Sequence, residues 1–303
     1  MGLTLEADVF DSTRVGRTKT LAPMPDGPAP APVIQRLRVR YAKRGRMRFT
    51  SQRDISRAVE RAVRRAGIPV AFSAGFTPHP KISYLGAAPT GVASEAEYLE
   101  LGLTRACDPE QVRADLDAAL PAGLDALDAV VAPAGTSLAD RLQASAWRVR
   151  LDGVHPDAAE QAVAAFLAAE RVEVERLTKK GRRRFDARAA VAVCELDRGA
   201  SKTADGPSAI LRMVVRHVDH AVRPDDVLAG LRQVADLAPP SPPLVTRLAQ
   251  GPLDEGTGEL ADPLDPDRDA AVPSPGDDAE AADGAVPQRP AGTGSVDVVS
   301  ARR

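Results

Sequence analysis

QRLRVRYAKRGRMRFTSQRDISRAVERAVRRAG, residues 35–67, decides the fold. Leu37, Val39 and Tyr41 alternate with Arg36, Arg38 and Arg40, the period of two that a half-buried strand requires, so one face is core and the other is arginine. The alternation continues through Met47 and Phe49. Ser51 followed by Asp54 then offers a helix start of the capping-box type, with Asp in place of the usual Glu. Ile55, Ala58, Val59, Ala62, Val63 and Ala66 recur at helical spacing, and Gly67 supplies the stop. The outer face of this amphipathic helix carries Arg53, Arg57, Arg61, Arg64 and Arg65.

Working outward, AEYLELGL (96–103) reads as the next strand, with Leu99, Leu101 and Leu103 on one face. DPEQVRADLDAALP opens on Asp108 as N-cap with Pro109 behind it, and Val112, Leu116 and Leu120 form its apolar stripe. A weaker strand follows at LDAVVAP. The order strand, helix, strand, strand, helix, strand is that of the ferredoxin-like split unit. It recurs further on: AWRVRLDGV and PDAAEQAVAAFLAAE read as strand and helix, RRRFDARAAVAVCEL and AILRMVVRHVDH as paired strands. RPDDVLAGLRQVADL is then a second helix starting at Pro224, and LVTRLAQG a last strand. The expected architecture is α+β, two tandem ferredoxin-like units at 34–133 and 146–250 joined by a linker at 134–145.

The ends differ in composition. Residues 1–33 finish in APMPDGPAPAP, and residues 251–303 are rich in Asp, Pro, Gly and Ala; neither composition offsets ordering entropy, so both are expected to be disordered tails. The formal charge of −2 conceals a basic body, net +7 over 34–250, and an acidic C-terminal tail of net −8. That split suits a polyanion partner, although a tail that only keeps the protein soluble accounts for it equally well. The start, MGLTLEADVFDSTRVG, lacks a basic region followed by an apolar one, and no apolar run approaches the ~18 residues of a membrane span, so a cytoplasmic protein with no membrane partner is expected.

Three groups of residues carry possible chemistry. The first is the basic set Arg53 and Arg57 on the helix, joined by KKGRRRFDAR, in which Lys179, Lys180, Arg182, Arg183, Arg184 and Arg188 would form a phosphate-gripping hairpin. A solvated hairpin tip is the plain alternative. The second is FSAGFTPHPKIS, residues 72–83, read as a stiff presenting loop. Gly75 permits a bend, Pro78 and Pro80 fix the backbone around His79, and His79 and Lys81 project while Phe72, Phe76 and Ile82 anchor to the core. His79 as acid or base with Lys81 as anion holder would make the site catalytic; a structural histidine is the other reading, and Glu95 and Glu97 read as exposed positions flanking the next strand. The third is His217 and His220, which at i and i+3 of a strand point to opposite faces and so do not share a metal.

GAAPTG has neither the spacing nor the Lys-Ser/Thr ending of a P-loop, and no GxGxxG, GxSxG or HExxH occurs. The only two cysteines, Cys107 and Cys194, match no CxxC spacing. No metal and no cofactor are expected.

MRFTSQRDISRAVERAVRRAGIPVAFSAGFTPHPKISYLGAAPTGVASEAEYLEL, residues 47–101, resembles the radical-SAM-associated family of unknown function, a domain also found fused behind cobalamin-binding radical SAM modules. The similarity extends to KKGRRRFDARAAV, the family's basic segment ending in Asp-x-Arg, here Asp186 and Arg188, and covers about residues 35–250. Members often carry Ser-His where this chain has Ser51-Gln52. The resemblance implies partnership with a separate radical SAM enzyme or an RNA-processing enzyme. Without a CxxxCxxC run to ligate an iron–sulfur cluster, this chain is not itself such an enzyme. The expected function is therefore a non-catalytic RNA-binding or substrate-presenting accessory module. The alternatives are an RNA- or nucleotide-acting enzyme using His79 and Lys81, and a structural adaptor between proteins.

Overall fold

The structure, a computed structural model, describes residues 30–178, 181–201 and 206–271. It is a mixed α/β fold built on one large, mostly antiparallel sheet. Strand β1 (Gln35–Lys43) is followed by a short 3₁₀ helix (Gly45–Phe49), helix α1 (Gln52–Arg65), β2 (Ile82–Leu85), β3 (Ala93–Leu103), α2 (Pro109–Ala119) and β4 (Leu124–Val131). Then come a 3₁₀ turn (Ala139–Arg141), β5 (Ala144–Asp152), α3 (Pro156–Ala168), the hairpin strands β6 (Glu173–Thr178) and β7 (Gly181–Asp186), β8 (Val191–Leu196), β9 (Ser208–Arg216), α4 (Pro224–Ala235), β10 (Leu244–Gly251) and α5 (Asp265–Ala271).

The strands run β4-β1-β3-β10-β5-β9-β8, with β2 also paired to β3, and β6 and β7 form a separate two-stranded sheet. The halves meet where β10 pairs with β3. That seam is parallel and spans only Thr246 with Ala93 and Arg247 with Ser94. Every other pairing is antiparallel.

The predicted helix start is present with altered wiring. Ser51 Oγ accepts from the Asp54 N–H at 3.3 Å and donates to Asp54 Oδ2 at 2.7 Å, so the shorter carboxylate takes the hydroxyl instead of the Ser51 N–H. Ile55, Val59 and Val63 of α1 and Val112 and Leu116 of α2 bury against Leu37, Val39, Leu99 and Leu101. Each such side chain stabilises the fold by about 1.5–3 kcal/mol. In the second half Trp147, Val149, Leu211 and Met213 pack against Phe166 of α3 and Leu231 of α4. The two helices approach closely at Gly230, where a Cβ would lie 2.8 Å from the Phe166 ring.

Three expectations are corrected. The arginine face of β1 is not all surface: Arg36 is exposed and Arg40 partly so, but Arg38 is 1% exposed, because residues 252–271 fold back across it. Its Nη1 donates to Asp267 Oδ1 and Oδ2 at 2.8 and 2.7 Å, its Nη2 to Thr136 O and Oγ1, and its Nε to Glu100. Arg141 also pairs with Asp267, at 2.9 Å. The chain therefore stays ordered past 250 through α5, whose neighbour Leu264 is fully buried with Tyr98, Val130, Leu138 and Leu142. Burial of Leu138 and Leu142, and the start of β5 at Ala144, likewise show that 134–145 is part of the body and not a free linker. The expectations for residues 1–29 and 272–303 lie outside the described residues. Among the described residues no helix is long and apolar enough to cross a membrane.

Candidate functional site

The predicted site residues lie on three separate elements that no ion pair among the described residues joins. On α1, Arg53 and Arg57 are exposed, as are Arg61, Arg64 and Arg65. Arg57 leans toward Asp54 at 3.5 Å and Arg64 toward Glu60 at 3.9 Å, while neither Arg53 nor Arg61 has an ion pair among the described residues.

The basic hairpin forms, but its described arginines are engaged internally. Lys179 and Lys180 lie outside the described residues. Arg184 and Arg182 both reach across to Glu175, and together they hold its carboxyl below the usual carboxylate range. Arg183 Nη2 sits 2.6 Å from His220 Nε2. Arg188 is partly buried, donating to Leu167 O and Val191 O, and Asp186 Oδ1 accepts from the Val172 and Arg188 N–H groups. The Asp186-x-Arg188 element is thus a staple at the hairpin base, and Arg188 is not free to grip a ligand.

The Pro-His-Pro loop is fixed through its backbone. The Ser73 N–H donates to His79 O at 2.8 Å, the His79 N–H to Ser73 Oγ at 3.0 Å, and Phe72 bridges to Pro80. His79 and Lys81 are exposed, with Gly75 and Pro78 at the turn. The expected anchors fail: Phe76 is 81% exposed and Phe72 37%, and of that set only Ile82 packs on the core. No titratable side chain lies within hydrogen-bond reach of His79 among the described residues.

A cavity of about 320 Å³ that none of these readings identified opens on the helix side of the sheet, at the seam between the halves. Arg247 and Gln250 of β10, Ser145 and Trp147 of β5 and Val215 of β9 line it from the sheet. The Gly86–Pro89 loop and the segment from His217 to Pro224 close it on two sides. Below it lies a buried charge cluster. Arg247, 3% exposed, pairs with Glu97 through Nη2 and donates to Ser94 Oγ through Nε at 3.2 Å. Glu97 Oε2 accepts from the Ala88 N–H, and Lys43 Nζ donates to Ala88 O and Pro89 O, both at 3.2 Å. Burial pulls the Lys43 ammonium below the ordinary lysine range, with Glu97 opposing and Arg247 adding to the shift. A single carboxylate therefore faces two cationic side chains.

At the cavity's other wall, His217 Nδ1 lies 2.7 Å from Leu142 O and its Nε2 lies 2.7 Å from Ser145 Oγ. The carbonyl can only accept, so Nδ1 carries the proton and Nε2 accepts a hydrogen bond from the Ser145 hydroxyl. Desolvation holds this imidazole below its ordinary value. Gly86, at φ +55°, lets the loop pass over Gln250, whose Oε1 would be 2.7 Å from any Cβ there. The basic hairpin braces the same wall: Arg176 pairs with Asp226 at 2.6 Å and donates to Ala221 O, while Arg183 holds His220.

A larger recess, about 420 Å³, lies on the opposite face of β5 and β9, but its charged pair, Arg212 and Glu195, closes on itself at 3.6 Å. Among the described residues no group of His, Cys, Asp and Glu is gathered that could hold a metal.

Glu97, which in the sequence could equally be an exposed position, is fully buried. The strand containing His217 was expected to continue to 220, but β9 ends at Arg216, so His217 and His220 sit in a loop with unrelated partners. The available signal was the placement of Arg247 and Gln250 inside the apolar run LVTRLAQG, since a polar residue in a central strand must find a partner.

The sequence profile of the family described as "Uncharacterized protein conserved in bacteria (DUF2344)" matches residues 36–224. No curated protein matches the chain. The matched span includes Ser145, Trp147 and His217 and stops before β10, which supplies Arg247 and Gln250.

Proposed function

The chain belongs to the DUF2344 family of uncharacterized proteins conserved in bacteria, and from the geometry above we propose that it is a non-catalytic RNA-binding module that presents RNA to a separate processing or modifying enzyme. The observation that carries this reading is the outer face of α1, where five exposed arginines stand against only Asp54 and Glu60. Such an excess of like charge is relieved when a polyanion displaces the condensed counterions. The non-catalytic part is supported by the isolation of His79. The resemblance of residues 47–101 supports a radical SAM enzyme as the partner. The strand orders β4-β1-β3-β2 and β10-β5-β9-β8 support reading each half as a ferredoxin-like unit, a frequent RNA platform.

The test is single-stranded RNA binding by fluorescence polarisation across a salt series. Replacing Arg53, Arg57 and Arg61 with Ala should weaken binding and reduce the salt slope by about 0.7 per lost contact. An unchanged affinity and slope would remove the proposal.

A second reading, an enzyme, is favoured by Ser145 and His217. A hydroxyl hydrogen-bonded to an imidazole that a third group orients is the arrangement of an activated nucleophile. It moves the enzyme hypothesis from His79 and Lys81 to the cavity. Covalent labelling of Ser145 by a fluorophosphonate would support it, and an unlabelled protein would discard it.

A further inference from the structure

The exposed aromatic side chains of this protein are not scattered. Among the described residues only Phe49, Phe72 and Phe76 are exposed aromatics; every other ring is buried or half-buried. All three bracket α1. Phe49, 60% exposed, closes the 3₁₀ helix just before the Ser51 N-cap. Phe72 and Phe76 follow the helix's other end, where the chain turns at Gly67 and is tied to the sheet at Val70. Single exposed phenyl groups are ordinary, but a set confined to the two ends of one arginine face is not.

Their surroundings carry one sign of charge. Between Glu60 and Glu95 the sequence has no acid, while Arg61, Arg64, Arg65, His79 and Lys81 all fall in that interval. At the front end, Arg46 and Arg53 are exposed on either side of Phe49 in the chain, and the Arg48 guanidinium lies over its ring, 4.5 Å from the centroid. A cation thereby occupies one face of that ring, and the other is left to solvent. At the back end, the hydrogen bonds between Ser73 and His79 pin the loop that carries Phe76, so part of its ordering is done before any partner arrives. With 14 residues, α1 separates the two ends by about 21 Å.

Flat apolar rings set among cations match the chemistry of a nucleic-acid single strand. Its phosphates exchange condensed counterions for arginine, and its unpaired bases lay their π-faces on phenyl groups. A duplex keeps its bases stacked inside, away from such rings, and an acidic protein segment answers the charge without needing a planar ring at each end. We propose that Phe49 and Phe76 are base-stacking platforms at the two ends of α1, and that the RNA taken by this face is single-stranded, its phosphates along the helix and its bases on the rings. The inference rests on the RNA reading above and adds to it which part of the nucleotide, besides the phosphate, is recognised.

The full chain is tested by fluorescence polarisation against two labelled strands of about twelve nucleotides, within the roughly 4–16 of ordinary single-strand sites. One is an unstructured RNA of mixed sequence and the other an abasic ribose-phosphate strand with the same number of phosphates. The base-bearing strand should bind more tightly. Phe49→Ala and Phe76→Ala should each weaken its binding by roughly 5- to 150-fold, the reach of one stacked base, and leave the abasic strand, the salt slope and the melting temperature unchanged. Phe76→Tyr, which keeps a planar ring, should keep the preference for bases, and Phe76→Leu, which keeps only apolar bulk, should lose its share of it. Equal affinity for the two strands, a preference that survives both Ala replacements, or one that survives Phe76→Leu would each overturn the inference, and in each case RNA still held by the α1 arginines leaves the RNA reading standing. A chain that binds neither strand removes both, and polyglutamate bound in their place would assign the face to an acidic protein partner.

Discussion

Replacing Asp267 with Ala tests whether the segment after β10 belongs to the body. Asp267 is fully buried and receives both N–H groups of Arg38 Nη1 and one from Arg141. In the native protein every guanidinium N–H of Arg38 has an acceptor. Truncating the carboxylate leaves two of them unpaired on a cation that is 1% exposed, with Glu100 as its only remaining charge partner. Breaking a buried pair in this one-sided way costs about 3–5 kcal/mol. For a body of this size about 1 kcal/mol moves the melting temperature by roughly 2–4 °C, so a fall of about 6–20 °C is expected. Asp267→Asn, which keeps one acceptor oxygen, should fall by less. A chain ending at 251 should fall at least as far as Asp267→Ala, because it also uncovers Leu264 and its apolar neighbours, whereas one ending at 271 should melt like the full chain. Circular dichroism melts of the five proteins at one pH decide the matter. If Asp267→Ala and the 251 truncation melt within about 2 °C of the parent, the segment is not holding the sheet and the account of Arg38 is wrong.

Other outcomes follow from individual groups. Cys194 is buried and its thiol is pushed up to about 12, so in the native protein only Cys107 should react rapidly with a thiol reagent; two equally fast thiols would contradict the packing of β8. His217 is held below the ordinary value of 6.5, so the unfolded chain binds its proton more readily. Its contribution to stability is present above that value and is lost as pH falls from about 6.5 toward the folded value, and His217→Gln should flatten this part of the stability–pH curve. His79 and Lys81 touch the fold only through their backbones, so replacing both with Ala should change stability by about 0.5 kcal/mol or less while weakening RNA binding. A large loss of stability with intact binding per folded molecule would make the loop purely structural.

The sequence disclosed elements better than it disclosed their surroundings. Strand β1 and helix α1 follow from local periodicity, because Leu37 and Val39, or Ile55 and Val59, reveal a buried face wherever it ends up. What covers the opposite face is a long-range matter. Arg38 looked like surface because its partners lie 98 residues away at Thr136 and 229 residues away at Asp267, in a stretch whose Asp, Pro and Gly content resembles a tail. The hairpin arginines read as the start of one strand running to Leu196, but β7 ends at Asp186 and pairs with β6, which puts Glu175 opposite Arg184, and neither the break nor that register can be read from KKGRRR. The cavity was hidden for the same reason. Ser145, His217 and Gln250 are brought together by β5, β9 and β10, and each looks unremarkable in its own stretch of chain.

The position of β10 has a consequence for how this chain comes to be folded. Among the described residues it is the last strand to leave the ribosome, yet it lies between β3 and β5 in the finished sheet. Until it arrives, β5 presents an open hydrogen-bonding edge over Ala144–Arg150 and β3 one at Ala93 and Ser94 beyond the reach of β2, and an unpaired edge invites pairing with other nascent chains. Closing the seam then requires a contact across 153 residues, Ser94 to Arg247, secured by two backbone positions, one buried ion pair and the side-chain hydrogen bonds of Arg247 to Ser94 and of Gln250 to Ala96 O. Long-range closures of this kind are slow. The interval before β10 inserts is therefore when the protein is most exposed to aggregation and most dependent on chaperones, and an occupant of the cavity, which β10 completes, would bind only molecules that have passed through it.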